Sequence, residues 1–196
     1  MNGKEWQIET SKTKIVDAVF TLLPDNTFDE LTLNEILNEA GVSKRTFYRY
    51  FKHKDDILEC YYDQFVTRYY QLKDEIIRQT SLKKMMIINL DYFFKNRERL
   101  RLLIRDRRHY RLIENFNRVN ERMYMGSAVW KRIRADEPDL SLDDMYYFTV
   151  GGYSNIIIHR IMEENPKSSS EIADDIFRAL GELIKVFQMP NRKRPA

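Results

Sequence analysis

Between Thr32 and Lys54 the chain reads TLNEILNEAGVSKRTFYRYFKHK. From Gly41 to Lys54 it carries Lys44, Arg45, Arg49, Lys52 and Lys54 with no Asp or Glu, whereas residues 1–40 carry three Lys and eight acids. Cations interleaved with the hydroxyls of Ser43, Thr46, Tyr48 and Tyr50 suit two kinds of contact with nucleic acid. Point charges and hydroxyl donors hold phosphate oxygens, while a forked guanidinium or a short side chain reads base edges. Ser43, Lys44, Arg45 and Thr46 are the candidates for readout, Arg45 by a two-pronged bond to guanine and Thr46 against a thymine methyl. Each such contact carries roughly 1 to 3 kcal/mol of discrimination. Lys44 either joins that readout or simply attracts phosphate, and Arg49 is a contact on charge alone. Tyr48 and Tyr50 can pack a ring on the scaffold while the hydroxyl reaches a phosphate. Thr32 and Lys54 would hold the nucleic-acid backbone from either side, one through its hydroxyl and a helix N-terminus, the other as a point charge.

Such contacts need a rigid frame, and the sequence supplies one. Thr32 with Glu35 three residues later is a capping box, and Leu33, Ile36, Leu37 and Ala40 give the helix that follows an apolar face. Gly41 can take the left-handed conformation that stops it, with Val42 packing back. Ser43 then caps a second helix, on which Phe47 and Phe51 are four apart and face inward against Ile15, Val19 and Ile36. A support helix from Ser11 or Thr13 to about Leu23 precedes them, ended by Pro24, Asp25 and Asn26. Two helices about a glycine turn, the second basic near its start, match a helix-turn-helix that lays its second helix in the DNA major groove. Glycine-turned helix pairs also occur in bundles without that role.

The run AGVSKRTFYRYFKHKDDIL resembles the signature of the TetR family of transcriptional regulators, with Ala-Gly-Val-Ser at the turn, the aromatic-Tyr-x-aromatic-Phe run, a following Lys and an acidic-apolar helix start. The resemblance is carried by about residues 11–60. It implies double-stranded DNA as partner, a C-terminal helical domain that binds a small-molecule effector and dimerises, and phosphate contacts at the positions of Thr32, Tyr48 and Lys54. Tyr50 departs from the family, which often has His there. The implied function is a repressor released from a palindromic operator by its effector. An adaptor or coactivator whose C-terminal half docks a protein partner is the alternative.

With 196 residues, 32% of them charged, and only six Gly and five Pro, the composition favours long helices over strands and turns. The net charge of +3 decides nothing by itself. No apolar run approaches the roughly 18 residues of a membrane span, and the N-terminus lacks a signal-peptide core, so a cytoplasmic protein without a membrane partner is expected. Cys60 is the only cysteine, and His53, His109 and His159 are scattered, so neither a metal nor a cofactor is expected. Phosphate loops, nucleophile elbows and paired His-Glu spacings are missing, which argues against an enzyme.

The expected architecture is all-α, about nine helices in three segments: a DNA module over 1–54, an effector and dimerisation domain over 55–190, and a basic tail over 191–196. One long helix from Asp55 towards Arg78 would follow the module without a linker, so that its tilt moves the recognition helix. Helices over Ser81–Lys95, Glu98–Arg107, Leu112–Arg134, Ser141–Glu164 and Ser170–Gln188 complete the chain. Because one recognition helix covers few base pairs, a homodimer is expected. Its interface is placed on Gly151, Gly152, Ile156, Ile176, Leu180, Leu183 and Phe187, the glycines allowing close backbone approach or else kinking the helix beside a pocket. Amphipathic aromatics suit a pocket, for which Phe65, Tyr69, Tyr92, Arg105, Tyr110, Phe116, Tyr124 and Tyr147 are candidates, with packing in the core as the alternative for each aromatic among them. Seven arginines against two acids over 97–111 read either as a solvated, ion-paired face or as a surface for an anion.

Overall fold

The computed structural model describes residues 3–188, and every regular element among them is an α-helix. In chain order these are α1 (Gly3–Leu22), α2 (Leu33–Ala40), α3 (Lys44–Tyr50), α4 (Asp56–Tyr70), α5 (Lys73–Ile77) and α6 (Leu82–Lys95). They continue with α7 (Arg97–Arg105), α8 (His109–Met125), α9 (Ala128–Asp136), α10 (Leu142–Met162) and α11 (Ser169–Gln188). The basic tail over 191–196 lies outside the described residues, as does the side chain of Phe187.

Eleven helices stand where about nine were expected, because two of those expected are each divided. The helix from Asp55 closes at Tyr70, where i to i−3 bonds (Gln71 N–H to Arg68 O, 3.3 Å; Leu72 N–H to Tyr69 O, 2.9 Å) tighten the last turn, and α5 resumes at Lys73. The helix expected over 112–134 breaks at Gly126, after which the fully buried Ser127 caps α9 by accepting the Trp130 N–H at 3.4 Å. At the other end of the chain α1 starts earlier than expected. Thr10 and Ser11 bond back to the carbonyls of Trp6 and Gln7 at 2.8 and 2.9 Å inside the helix, so these hydroxyls are turned away from a capping role.

Helices α1 to α3 pack around Ile15, Val19, Ile36 and Phe47, each fully excluded from solvent. The second half of the core is aromatic. Phe65 lies 4.8 Å from Tyr92 and 5.5 Å from Phe93, Tyr69 lies 4.5 Å from Phe116, and Phe93 lies 4.9 Å from Phe116, all in tilted or edge-to-face pairs. Such pairs add about 0.5–1.5 kcal/mol each to the area they bury. The Tyr69 hydroxyl receives a bond from Asn89 Nδ2 at 2.8 Å and donates to Asn120 Oδ1 at 2.9 Å, and the Tyr92 hydroxyl donates to the Phe65 carbonyl at 2.5 Å, so both hydroxyls of this stack are satisfied.

Of the two readings of the aromatics, the stack takes several into the core. Phe65, Tyr69, Phe116 and Tyr124 fill one another's space in the interior, while Arg105, Tyr110 and Tyr147 are exposed, Tyr110 at 68%. The eight residues do not line a common cavity. Rings at helical spacing meet each other first, because burial of a Phe-sized side chain contributes about 1.5–3 kcal/mol whether or not a ligand is present.

Candidate nucleic-acid interface

The turn between α2 and α3 forms as the sequence requires. Thr32 Oγ1 accepts the Glu35 N–H at 3.2 Å, and Glu35 Oε2 accepts the Thr32 N–H at 2.8 Å and its hydroxyl at 2.7 Å, completing the capping box. These bonds hold the Glu35 carboxyl below the usual carboxylate range. Gly41 sits at φ 62°, its N–H on Asn38 O at 3.2 Å, and the Val42 N–H reaches Leu37 O at 3.0 Å. Ser43 Oγ accepts the Thr46 N–H at 3.1 Å and lies 3.0 Å from the Thr46 hydroxyl, so α3 starts from a well-capped end.

On α3 the faces separate cleanly. Phe47 is fully buried and Phe51 is 5% exposed, their centroids 5.3 Å apart, and they pin the helix to the module. Ser43, Lys44, Arg45, Tyr48 and Arg49 point to solvent, Tyr48 at 61%, while Thr46 and Tyr50 are half-buried. No carboxylate pairs with Lys44, Arg45 or Arg49 among the described residues, which leaves a basic, hydroxyl-bearing surface one helix wide.

Two of the residues expected at phosphates are engaged inside the protein. Lys54 Nζ donates to the carbonyls of Phe28, Asp29 and Leu31 at 2.7, 3.2 and 2.8 Å and lies 4.8 Å from the Phe28 ring centre. Its three donors are thereby used, and it ties the start of α4 to the loop between α1 and α2. The Thr32 hydroxyl is likewise closed into its capping box, so what this corner offers an anion is the N-terminus of α2. Both side chains have nearer acceptors than a phosphate, which a reading by charge alone could not show.

The arginine cluster proves to be structural in part. Arg97 reaches the carbonyls of Ile161, Glu163 and Glu164 at the end of α10. Arg99 pairs with Asp17 of α1 at 2.6 Å and lies over the rings of Phe20 and Tyr61. Arg108 pairs with Asp29 and, at 3.6 Å, with Asp55, and Arg111 with Glu59 at 3.0 Å. The Phe28 N–H approaches both oxygens of Asp106 at 3.3 Å, and Tyr62 donates to Arg108 O at 2.7 Å. Arg107, at φ 56°, is the one described non-glycine residue in the left-handed region, and it bends the chain so that Asp106 and Arg108 both meet the α1–α2 loop. Sequence offered no signal for these ties, because the partners are about 80 positions apart (Arg99 to Asp17, 82; Arg108 to Asp29, 79).

His109 starts α8 beside this turn, 6% exposed, with no partner for Nδ1 among the described residues. Burial lowers its pKa from 6.5, since the charged ring loses its hydration. A base depressed in the folded state stabilises the fold above its unfolded pKa, and that contribution disappears as pH falls through about 6.5 and below. The melting temperature is therefore expected to fall on acidification from pH 7.5 to 5.5. His109→Gln should flatten that slope in a calorimetric series, and an unchanged slope would exclude His109 as its source.

Helices α10 and α11 leave an apolar face uncovered. Phe148 is 72% exposed, and Phe177, Leu180, Leu183, Ile184 and Val186 are each exposed by more than a third. A Cβ on Gly151 or Gly152 would meet no atom within 4 Å. Ile176, expected on this face, is buried in the chain's own core together with Ile172 and Ala173, and Ile156 is half-buried against it. The first half of α11 packs on the chain's own core, whereas its second half has no such support and is exposed on nearly every face.

Comparison with known proteins agrees with this geometry. The family model described as "Bacterial regulatory proteins, tetR family" matches residues 15–60, which hold the capped pair, the end of its support helix α1 and the start of α4. An HTH-type transcriptional regulator of Staphylococcus aureus is 30% identical over 91 residues, which are 43% of this chain and 46% of that protein. The chain thus spans about half the length of the curated relatives it matches. Over the whole fold, a TetR transcriptional regulator from Streptococcus agalactiae superposes with a TM-score of 0.64 at 16% identity, over 90% of this chain and 97% of that one. The TetR family repressor AlkX from Dietzia gives 0.53 at 19% identity, over 89% and 95%. Residues 15–60 thus match the TetR family of bacterial regulatory proteins in sequence, and the all-α scaffold as a whole has the fold of solved TetR-type regulators.

Proposed function

We propose that the protein is a DNA-binding transcriptional regulator that occupies a palindromic operator as a homodimer and leaves it when a small molecule binds its C-terminal half. The observation that carries this reading is the solvent face of α3, where Lys44, Arg45, Tyr48 and Arg49 stand free of any carboxylate while Phe47 and Phe51 fix the helix from behind. Ser43 to Thr46 read base edges in the major groove, and Tyr48, Tyr50 and the N-terminus of α2 hold phosphates. Lys54 acts at one remove, by fixing the loop that leads into α2.

The pairing of two copies is supported by the uncovered face of α10 and α11, since an exposed apolar stripe of this extent marks an interaction surface. The ties from α7 and α8 to the module support regulation. Arg99, Asp106 and Arg108 fix the C-terminal half to α1 and to the α1–α2 loop, so a change in the packing of α7 or α8 alters the angle of α3. Repression follows where the operator overlaps a promoter.

A gel-shift titration with the chain's own upstream DNA tests the reading. Arg45→Ala and Tyr48→Ala are each expected to weaken binding by roughly 5- to 100-fold, equivalent to about 1–3 kcal/mol. Retained affinity in both variants, or no shift with the unaltered protein, would sink it.

A further inference from the structure

One groove differs from the rest in charge. It has a volume of about 380 Å³ and lies between α4, α5 and α8, lined by Val66, Thr67, Tyr70, Lys73, Val119, Arg122 and Met123. Val66, Val119 and the buried Met123 make an apolar floor. Lys73 and Arg122 are cations with no ion-pair partner among the described residues, and no Asp or Glu lines the groove. Four other grooves on the molecule each have at least one carboxylate in their lining. In this one the Lys73 ammonium donates to the Tyr70 hydroxyl at 3.0 Å and stands 5.2 Å from its ring centre, which aligns an ammonium and a phenol at the same rim. The break between α4 and α5, which no Gly or Pro demands, is what sets Lys73 at this site.

We infer that this groove binds an amphipathic monocarboxylate, its apolar body on Val66, Val119 and Met123 and its carboxylate between Lys73 and Arg122, with Tyr70 and Thr67 as hydroxyl donors. The volume lies within the range of small-molecule sites, and an apolar floor with a few polar groups at one end is their usual composition. Two cations against no acid select an anion over a neutral or cationic body of the same shape, because the wrong ligand leaves the charges unmatched or repelled. The site lies on α4, the helix whose other end adjoins the recognition helix, and on α8, which begins at the Arg108 ties. Its role as the effector site rests on the regulatory reading above, whereas binding itself does not.

Isothermal titration of the full chain tests it, with decanoate (below its micellar concentration) and 4-phenylbutyrate as probes and with decanol and decylammonium as matched controls. Saturable binding of a carboxylate, about tenfold or more tighter than of either control, is expected. The double variant Lys73→Gln, Arg122→Gln should weaken it about tenfold, with Arg134→Gln on α9 unchanged and all three proteins melting alike. Absence of binding by both carboxylates, equal binding of the controls, or indifference to the double variant overturns the site. A gel shift over the same concentrations separates the two readings. Release of DNA that the double variant abolishes supports both, whereas binding with DNA affinity unaltered keeps the site and removes its effector role.

Discussion

Replacing Phe47 by Ala will lower the unfolding free energy by about 3–5 kcal/mol, the cost of truncating a fully buried aromatic in a core that cannot collapse around the gap. Phe47 has no solvent exposure and contacts Phe51, and both meet a core that includes Ile15, Val19 and Ile36. The effect should be larger on function than on stability. Helix α3 has seven residues, too few to persist without tertiary support, so loss of its anchor frees the whole contact surface. Urea denaturation should show the loss as a lower midpoint, and operator binding should vanish before global unfolding sets in. Tyr48→Ala is the matched control, since its ring is 61% exposed and its removal should leave the midpoint nearly unchanged while still weakening DNA binding. A Phe47→Ala protein within about 1 kcal/mol of the original would show that α3 is held by something else.

The second large effect is expected on α11. Leu183→Glu with Ile184→Glu places two carboxylates on the exposed half of α11, where the native side chains are 41% and 55% exposed. A single copy loses little by this change. A pair of copies would bury both charges, and sedimentation should report a monomer whose far-ultraviolet circular dichroism matches that of the unaltered protein. Operator affinity should then fall by about 10²- to 10⁴-fold, because each half-site must be bound independently. Dimerisation that survives the double change would move the interface elsewhere.

The capped pair was legible in the sequence because every signal in it is local. Thr32 and Glu35, Gly41, and Ser43 and Thr46 each act within four residues, and the structure shows the bonds their types predict. The Phe47 and Phe51 pair was legible for the same reason, as two aromatics one turn apart. The all-α class followed from composition and from apolar periodicity. What could not be read was set by distance in sequence. Lys54 looked like a free point charge, but its acceptors are carbonyls 23 to 26 residues earlier that only the fold brings near. The arginines of 97–111 could be read as an ion-paired face but not assigned their partners, and Arg99 and Arg108 find aspartates on α1 and in the loop after it. The aromatics could be read as pocket walls or as core, since spacing shows which side of a helix a ring occupies and not whether another ring fills the space opposite.

The ties through Arg99, Asp106 and Arg108 bear on how such a protein can be recombined. A chimera that joins α1–α3 of this chain to a different C-terminal half would keep Asp17, Asp29 and the Phe28 amide but lose the groups that answer them. The graft would keep Ile15, Val19, Ile36 and Phe47 but lose Tyr61 and Arg99 from around Phe20, so its three helices would be joined to the new half by a slack connection. Transplanting the tripeptide Asp106-Arg107-Arg108 together with Arg99 and a ring opposite Phe20 should restore the tight joint.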